Sequence, residues 1–210
     1  MNTTSITVCK NRTENLIKSL PTWLEIEGLS EIHIYDFCSR NPVYVELYKN
    51  NLLDPKIKVL QTKQDDPFEI AKFLNIALSI TKAETILKLD CDYQISKGFI
   101  YKHKLKNNFY SGDWKVSRND NESHLTGLLY AKQKSILSVG GYNENIKSWG
   151  YEDEDLYLRM EQAGTKRQVI DMDLAYHIPH SDDLRCGDEG FDMWTYAEKN
   201  MKLSISSPWS

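Results

Sequence analysis

Hydrophobic and polar positions in the first half of the chain follow two alternating periods. Apolar and β-branched residues at every second position predict strands, and apolar residues at every third or fourth position predict the helices between them. Strands are predicted over 5–9, 31–37, 56–60 and 85–90, and helices over 14–24, 43–53 and 67–81, the last beginning at Pro67. This alternation is typical of βαβ units, whose parallel sheet is covered by helices on both faces.

The second half of the chain has a less regular pattern. It predicts helices over 99–105, 132–139, 152–164 and 191–201, strands at 125–131, 169–170 and 174–176, and a polar loop over 181–190. Gly140-Gly141 marks the end of one of these helices. No repeat, low-complexity tract or linker divides the sequence. We therefore expect an α/β fold with one domain over 1–210, in which helices flank a mostly parallel central sheet.

Composition narrows the class of protein. The 210 residues are 40% hydrophobic and 27% charged, which is too apolar for a disordered chain. The sequence contains no apolar run long enough to span a membrane, and its first residues lack the pattern of a signal peptide. A net charge of −4 argues against dedicated nucleic-acid binding. These features favour a soluble protein.

The cysteines point to a reducing compartment. Cys9, Cys38, Cys91 and Cys186 are scattered and include no C-x-x-C pair. This spacing indicates neither a zinc knuckle nor a disulfide framework. We therefore expect the cysteines to be reduced.

Polar residues follow the predicted strands at the sheet edge where ligands of open α/β sheets bind. Asp90-Cys91-Asp92 follows the fourth strand, and residues two apart in an extended segment point to the same side. Two converging carboxylates repel unless a cation or sugar hydroxyls lie between them, and Mg²⁺ or Mn²⁺ suits such oxygen ligands. The alternative is a pair of solvated turn aspartates.

Lys10 and Arg12 follow the first strand and could hold a phosphate or lie in a solvated loop.

An acidic segment, Glu152-Asp153-Glu154-Asp155, follows Trp149-Gly150-Tyr151. Acidic residues are favoured in the first turn of a helix, and Asp155 and Arg159 are spaced as an ion pair. That interpretation does not explain the preceding Trp-Gly. A helix N-terminus also keeps a carboxylate ionised, as a general base for a hydroxyl requires, and an aromatic ring beside it could stack on a sugar.

A histidine pair occurs in His177-Ile178-Pro179-His180. Pro179 excludes a helix through the pair, which therefore differs from the H-E-x-x-H of metalloproteases. Residues three apart in an extended chain face opposite ways, so joint metal binding by both rings requires a turn. From the residues alone, a metal site with one histidine, a metal site with both, and a structural role all stay open.

Four stretches resemble glycosyltransferases of the GT-A fold, and more narrowly the β1,4-galactosyltransferase group with its bacterial family 2 and chondroitin-polymerase-like relatives. Residues 9–16 are similar to the opening x-[RK]-N-R-x-x-x-L, and 71–76 to the A-K-L-L-N-x-G helix, with Ala77 in place of the glycine. Residues 89–92 match the D-x-D, and 149–155 match the signature W-G-x-E-D-D-D. Tyr151 replaces a usual glycine in that signature, and Glu154 replaces an aspartate.

The resemblance implies a single GT-A, Rossmann-like domain with a nucleotide-sugar half over about 1–95 and an acceptor and catalytic half over about 96–210. It implies Mn²⁺ or Mg²⁺ as cofactor. The implied roles are general base for Asp153; UDP-sugar contacts for Lys10, Arg12, Asp36 and Asp90; acceptor contacts for Trp149, Gly150, Glu152 and Asp155; and metal ligands for Asp92, His180 and His177.

The reaction implied by the resemblance is inverting transfer of a hexose or N-acetylhexosamine, with galactose-type sugars favoured, from a UDP-sugar to a hydroxyl of a glycan or lipid-linked acceptor. The membrane anchor and disulfides usual in the resembled group are not seen in this sequence, which favours a cytoplasmic enzyme. A lipid-linked acceptor would bring the protein to the inner face of a membrane as a peripheral protein. Residues 181–190 form a candidate lid over the bound donor.

Two alternatives belong to other classes. One is a catalytically silent domain that binds a sugar nucleotide or a glycan. The other is a D-x-D phosphohydrolase of the haloacid dehalogenase kind, with Asp182-Asp183 as its later acid pair. Gln94 stands where the phosphohydrolase motif requires Thr or Val, which argues against the second alternative.

Overall fold

The computed structural model describes residues 2–62, 69–147, 149–180, 193–206 and 209. Its strands are β1 (Thr3–Cys9), β2 (Leu29–Asp36), β3 (Ile57–Gln61), β4 (Thr85–Lys88), β5 (Tyr93–Ile95), β6 (Asn108–Ser111), β7 (Leu129–Lys132), β8 (Lys166–Val169) and β9 (Ala175–His177). Its α-helices are α1 (Thr13–Leu24), α2 (Val43–Lys49), α3 (Ile70–Ile80), α4 (Phe99–Lys102), α5 (Asp120–Ser123), α6 (Gln133–Leu137), α7 (Glu152–Gln162) and α8 (Met193–Ser206).

The first half of the chain has the strands and helices that its periodicity predicts, with small shifts at their ends. Helix α1 buries the apolar face formed by Leu16, Leu20 and Trp23. Helix α3 is described from Ile70, and the predicted start at Pro67 lies outside the described residues. The polar loop over 181–190 and Cys186 also lie outside them, whereas Cys9, Cys38 and Cys91 are free thiols.

The central sheet has the strand order β3-β2-β1-β4-β7-β6-β8. Strand β1 pairs in parallel with β2 and β4, β2 with β3, and β6 with β8. Strand β7 runs antiparallel to both of its neighbours, β4 and β6. The expected α/β fold with a mostly parallel sheet is therefore confirmed.

Apolar side chains cover both faces of this sheet. Because side chains alternate along a strand, Leu87 of β4 packs in the core that contains α1, and Ile86 packs in the core that contains α3 and α7. Strand β7 shows the same division, with Tyr130 on the first face and Leu129 on the second. Burial on both faces explains why β4 carries apolar residues at successive positions, Ile86 and Leu87.

The second half departs from its predicted elements. The expected strand over 125–131 is a 3₁₀ turn, His124–Gly127, followed by β7, and the strand expected at 169–170 is β8, which begins at Lys166. The helices expected over 99–105 and 132–139 end at Lys102 and Leu137. Strands β5 and β6 were not predicted. A segment of three or four residues is too short to show a hydrophobic period. Whether such a segment forms a strand therefore depends on the strand with which it pairs.

Strands β5 and β9 form a separate two-stranded antiparallel sheet in which Tyr93 pairs with His177. Trp23 of α1 anchors β5, because its indole Nε1 donates a hydrogen bond to the Tyr93 carbonyl at 2.6 Å. This small sheet brings the segment after β9 against the segment after β4. Within the described ranges, no helix has the length and apolar character needed to cross a membrane.

Candidate active site

Three predicted metal ligands come together beyond the end of β4. Nε2 of His180 lies 2.7 Å from Oδ2 of Asp92, and Nε2 of His177 lies 3.6 Å from the same oxygen. One ligand atom from each of the three residues lies within 4.8 Å of the others. All three side chains are almost fully buried. A carboxylate and two imidazoles form a donor set suited to a divalent transition metal.

The backbone around β9 explains how both histidines reach one point. The side chain of Asn121 donates to the His177 carbonyl at 2.7 Å and accepts from the His177 amide at 3.2 Å. The Ile178 amide donates to the Asp92 carbonyl at 2.7 Å. The chain therefore leaves β9 beside Asp92, and the His180 ring returns to within 5.1 Å of the His177 ring, centre to centre. In an extended chain the two histidine side chains would face opposite ways, but in this structure both rings reach the same point.

The polar atoms of this cluster fit a bound cation. Oδ1 of Asp92 and Nδ1 of His177 are buried and have no hydrogen-bond partner among the described residues. Burial opposes ionisation of Asp92, but hydrogen bonds from His177 and His180 and the charge of Arg12 hold its pKa well below the ordinary range. The Arg12 guanidinium contacts both Asp92 and His180. Asp92 is thus ionised, and one of its oxygens has no hydrogen-bond partner among the described residues.

The side chains of Asp90 and Asp92 do not meet each other in the structure. The chain is not extended here, because β4 ends at Lys88 and the Tyr93 amide bonds to the Asp90 carbonyl at 3.1 Å, closing a turn. Asp92 faces the histidines, whereas Oδ1 of Asp90 lies 2.9 Å from Nζ of Lys88. The two carboxylates of the D-x-D therefore have different partners.

Lys88 connects Asp90 to the acidic segment of α7. Its ammonium donates to Oδ2 of Asp153 at 3.1 Å, and only 3% of its side chain is exposed. Burial would lower the pKa of Lys88, but Asp153 and Asp90 raise it well above the ordinary value. Lys88 is therefore a permanent buried cation.

Asp153 lies in the first turn of α7, where backbone N–H groups point out of the helix end. Burial is the main reason why its pKa rises to about 6; the charge of Lys88 opposes the rise and that of Asp90 adds to it. The Tyr142 hydroxyl lies 3.4 Å from Oδ1 of Asp153. At neutral pH Asp153 is mostly ionised and has a pKa near the operating pH, as a general base requires.

The neighbouring Glu152 has a different environment. It is buried, and its Oε2 has no hydrogen-bond partner among the described residues. Burial first, and then the charge of Asp153, raise the pKa of Glu152 to about 8. Glu152 is therefore a protonated carboxylic acid at neutral pH and has an unused oxygen.

The other two acids of the segment are engaged in ion pairs away from Asp153. Glu154 accepts two hydrogen bonds from Arg167, each at 3.0 Å. Asp155 accepts from Arg159 at 2.6 Å, as the spacing of the two residues predicted. Ser204 of α8 donates to Asp155 at 2.5 Å. Asp155 thus ties α7 to α8, and an acceptor contact would add to these bonds.

Helix α8 also holds the Trp149-Gly150 segment. The side-chain amide of Asn200 donates to the carbonyls of Trp149 and Gly150 at 3.2 and 2.8 Å. Gly150 has a φ of +100°, and a Cβ there would lie 3.3 Å from Cβ of Ala197. Only glycine combines this backbone conformation with so close a contact to α8.

Two of the predicted donor residues, Lys10 and Asp36, lie at the ends of β1 and β2. Asp36 is buried, and its two oxygens accept the backbone amides of Ser39 and Val43 at 3.0 and 2.9 Å, so it fixes the turn that begins α2. The ammonium of Lys10 lies 5.1 Å from the centre of the Phe37 ring. A donor contact by Asp36 would therefore be additional to its role in the turn.

Sequence reasoning missed three residues that organise this site: Lys88, Asn75 and Asn200. Asn75 of α3 donates to the Tyr142 carbonyl and accepts the Tyr142 amide, at 2.9 and 2.7 Å. It lies in the stretch that resembles the A-K-L-L-N-x-G helix, which was a usable signal. A lysine at a strand end and an asparagine in a polar helix carry no such signal.

Comparison with known proteins supports the resemblance. Residues 111–181, about a third of the chain, match the family described as the N-terminal domain of galactosyltransferase. This segment contains Trp149, the acids of α7 and both histidines of the cluster. No curated protein sequence matches the chain significantly.

Solved glycosyltransferases have the same fold. The catalytic domain of Drosophila β1,4-galactosyltransferase 7, in complex with xylobiose, is 15% identical with a TM-score of 0.63 over 95% of this chain and 81% of that one. GalNAc-T7, with UDP, GalNAc and Mn²⁺, is 13% identical with a TM-score of 0.71 over 97% of this chain and 48% of that one. PcManGT, a mannosyltransferase from Pyrobaculum calidifontis with GDP-Man and Mn²⁺, is 14% identical with a TM-score of 0.65, covering 81% and 55%.

These similarities confirm the GT-A fold and the likeness to the galactosyltransferase group. The chain spans about half the length of GalNAc-T7 and of PcManGT, and most of the length of the Drosophila catalytic domain.

Proposed function

We propose that this chain is a metal-dependent inverting glycosyltransferase that moves a sugar from a UDP-sugar to a hydroxyl group, with Asp153 as the general base. One observation carries the proposal. A cluster of metal-ligand type, Asp92 with His177 and His180, is connected through Asp90 and Lys88 to Asp153, a largely buried carboxylate whose pKa is about 6. This is the pair of functions that direct sugar transfer needs: charge neutralisation at a diphosphate and a base at the attacking hydroxyl.

Asp92, His177 and His180 would hold Mn²⁺ or Mg²⁺, and Mn²⁺ suits the two imidazoles better. When bound, the cation supplies positive charge that stabilises the departing nucleoside diphosphate. The Mn²⁺ complexes of PcManGT and GalNAc-T7 support this assignment. Arg12 contacts the cluster and would add a fixed positive charge beside the phosphates.

The residues of the chain would act on the acceptor as follows. Asp153 removes the proton from the acceptor hydroxyl as its oxygen attacks the anomeric carbon from the face opposite the leaving group. Protonated Glu152 donates a hydrogen bond to a neighbouring acceptor oxygen through its unused carboxyl group. Trp149 provides an aromatic face for the sugar ring, and Gly150 and Asp155 connect this segment to α8.

The resemblance also suggests which donor and which acceptor the enzyme uses. We propose a galactose-type hexose or N-acetylhexosamine as the transferred sugar, with Lys10, Arg12, Asp36 and Asp90 facing the UDP-sugar. The residues up to about 95 would bind the donor, and those from about 96 the acceptor. A glycan acceptor is supported by the xylobiose complex of the Drosophila enzyme. A lipid-linked acceptor and a cytoplasmic location at the inner face of a membrane remain part of the proposal.

The test of the general base is Asp153→Asn, assayed with Mn²⁺ and UDP-Gal, UDP-GalNAc, UDP-Glc and UDP-GlcNAc. We expect a loss of transfer on the order of 10²- to 10⁴-fold, because an amide cannot take up the proton. UDP binding, measured by calorimetry, should stay within about twofold of wild type. Transfer at the wild-type rate would remove Asp153 as the base.

The same assay separates the two alternatives. A silent binding domain would bind UDP-sugars without releasing UDP. A D-x-D phosphohydrolase would cleave phosphomonoesters without a sugar nucleotide. Thermal stabilisation by the four UDP-sugars, measured in parallel, ranks the donors.

A further inference from the structure

We propose that Lys88 is a positioning residue for the transfer reaction: its ammonium holds Asp90, on the donor side, and Asp153, on the acceptor side, in a fixed relation to each other. This inference rests on the proposed function, since it concerns the same general base.

The position of Lys88 in the sheet fixes its ammonium. Lys88 is the last residue of β4 and pairs with Ile6 of β1 on one side and Leu129 of β7 on the other. Its backbone therefore lies between two neighbouring strands and cannot shift freely. Its side chain leaves the sheet on the same face as Ile86, toward α7. Nζ meets Oδ1 of Asp90 at 2.9 Å and Oδ2 of Asp153 at 3.1 Å.

The surroundings keep most water away from the Lys88–Asp153 ion pair. The Lys88 side chain is 3% exposed and that of Asp153 is 14% exposed. Gly127 closes one side: a Cβ there would lie 2.7 Å from Oδ2 of Asp90 and 3.1 Å from Nζ of Lys88. In a site of low polarity, an ammonium between two carboxylates is held more strongly than at the surface. Removal of the lysine would leave two unpaired carboxylates that repel each other.

The arrangement links the two parts of the reaction. Asp90 is one-third exposed and faces the region where the donor is proposed to bind, whereas Asp153 belongs to the acceptor segment. Because one nitrogen bonds to both carboxylates, the direction of the Asp153 carboxylate depends on where β4 places the lysine. Lys88 also supplies the positive charge that keeps Asp153 ionised. The titratable groups facing Asp153 are Lys88, Asp90, Tyr142, Tyr157 and Glu152.

The experiment compares Lys88→Met and Lys88→Arg with wild type over the pH range of the transfer reaction. We expect Lys88→Met to lower kcat about 10²-fold at neutral pH, with little change in the KM of the donor. The acidic limb of its kcat/KM profile should move upward from near pH 6 by at least about one unit, because Asp153 loses its nearest positive charge. Lys88→Arg keeps the charge and should restore the limb to within a few tenths of a unit.

Lys58→Met is the matched control, because Lys58 is an exposed lysine whose partner is Glu31 at 2.5 Å. It should leave both kcat and the pH profile unchanged. A merely structural role for Lys88 would lower activity equally at every pH and would leave the limb in place, which would overturn the proposal.

A second measurement does not depend on turnover. Carbon-13 NMR titration of the Asp153 carboxyl group, in folded wild type and Lys88→Met, should show a higher pKa in the variant. If wild type transfers no sugar, the proposed function fails, and this titration alone decides the link between Lys88 and Asp153. Equal carboxyl pKa values in the two proteins would contradict that link.

Discussion

Glu152 and Asp153 are adjacent in sequence, but their different surroundings give them different protonation states. Asp153 faces the Lys88 ammonium at 3.1 Å and has a pKa of about 6. Glu152 has no ion-pair partner among the residues that the structure describes, and its pKa is about 8. Environments that separate the pKa values of two acids allow one to act as a base while the other donates a hydrogen bond. The four successive acids of the sequence are therefore not equivalent.

The buried Glu152 makes folding stability depend on pH. Its pKa is higher in the folded chain than the ordinary value of about 4.3, so the folded state binds the proton more tightly. Its contribution is complete below that value and is lost as the pH rises through about 8. We expect Glu152→Gln, which has no proton to lose, to show a smaller drop in melting temperature between about pH 5 and about pH 9.

Glu161→Gln is the control for this measurement, because Glu161 is exposed on the same helix. Its melting temperatures should follow those of wild type. Equal slopes for wild type and Glu152→Gln would show that Glu152 is not protonated in the folded chain at neutral pH.

Tyr151 has a backbone conformation that is unfavourable for a residue other than glycine. It precedes α7 with a φ of +73°, a left-handed conformation that a tyrosine adopts at a cost of about 1 kcal/mol or more. The resemblance has glycine at this position, which tolerates that conformation. Helix α7, with Glu152 and Asp153 in its first turn, begins directly after this residue.

At the scale of secondary structure, α8 supports the segment that is proposed to bind the acceptor. Asn200 and Ser204, one helical turn apart, bond to the Trp149-Gly150 segment and to Asp155. Ala197 packs against Gly150 from the same helix. The segment that would bind the acceptor thus depends on a helix that lies outside the matched 111–181 region.

We expect Asn200→Ala to raise the KM of the acceptor roughly tenfold, because two carbonyls that position Trp149 and Gly150 lose their donor. The KM of the donor should stay within about twofold of wild type. Steady-state kinetics with each substrate varied in turn provide the measurement. Lys202→Ala, at an exposed position of α8, is the control. An unchanged acceptor KM would show that α8 does not position the acceptor segment.

At the scale of the whole molecule, residues distant in sequence meet at one edge of the sheet. Asp90 and Asp92 follow β4, His177 ends β9 and His180 follows it, and Asp153 lies in the first turn of α7. Parallel pairing of β1 with β2 and β4 places the strand ends side by side, and the β5–β9 sheet adds the histidines. A ligand that contacts several of these segments should stabilise the entire fold.

We therefore expect Mn²⁺ with UDP to raise the melting temperature, and EDTA to reverse the rise. A ligand at about 100 times its Kd contributes about 2.7 kcal/mol. His180→Ala should lose most of the Mn²⁺-dependent rise, because one of three ligands is gone. His33→Gln is the control, since His33 bonds to Glu31 and Thr81 and not to the cluster. A full rise in His180→Ala would exclude His180 as a ligand.

Much of the fold follows from the sequence by itself. The strands and helices of the first half were predicted because each carries a hydrophobic period that a single segment expresses without its partners. The D-x-D, the acids of α7 and the histidine pair were also identified as candidates, because charged residues beside apolar strands and helix starts stand out in a linear pattern. Strands β5 and β6 were not predicted, because segments of three or four residues become strands only through the strands with which they pair.

Only the tertiary structure decided how these candidates combine. The turn at Asp90 separates the two carboxylates of the D-x-D, and the β5–β9 pairing brings both histidines to Asp92. The role of Lys88 depends on the burial of its side chain, because both faces of β4 are covered. A lysine at a strand end is otherwise typical of a solvent-exposed position. Burial and pairing depend on segments far apart in the chain. Residue type and local period determine what a segment can become, and the packing of distant segments determines which charges meet and what they can do.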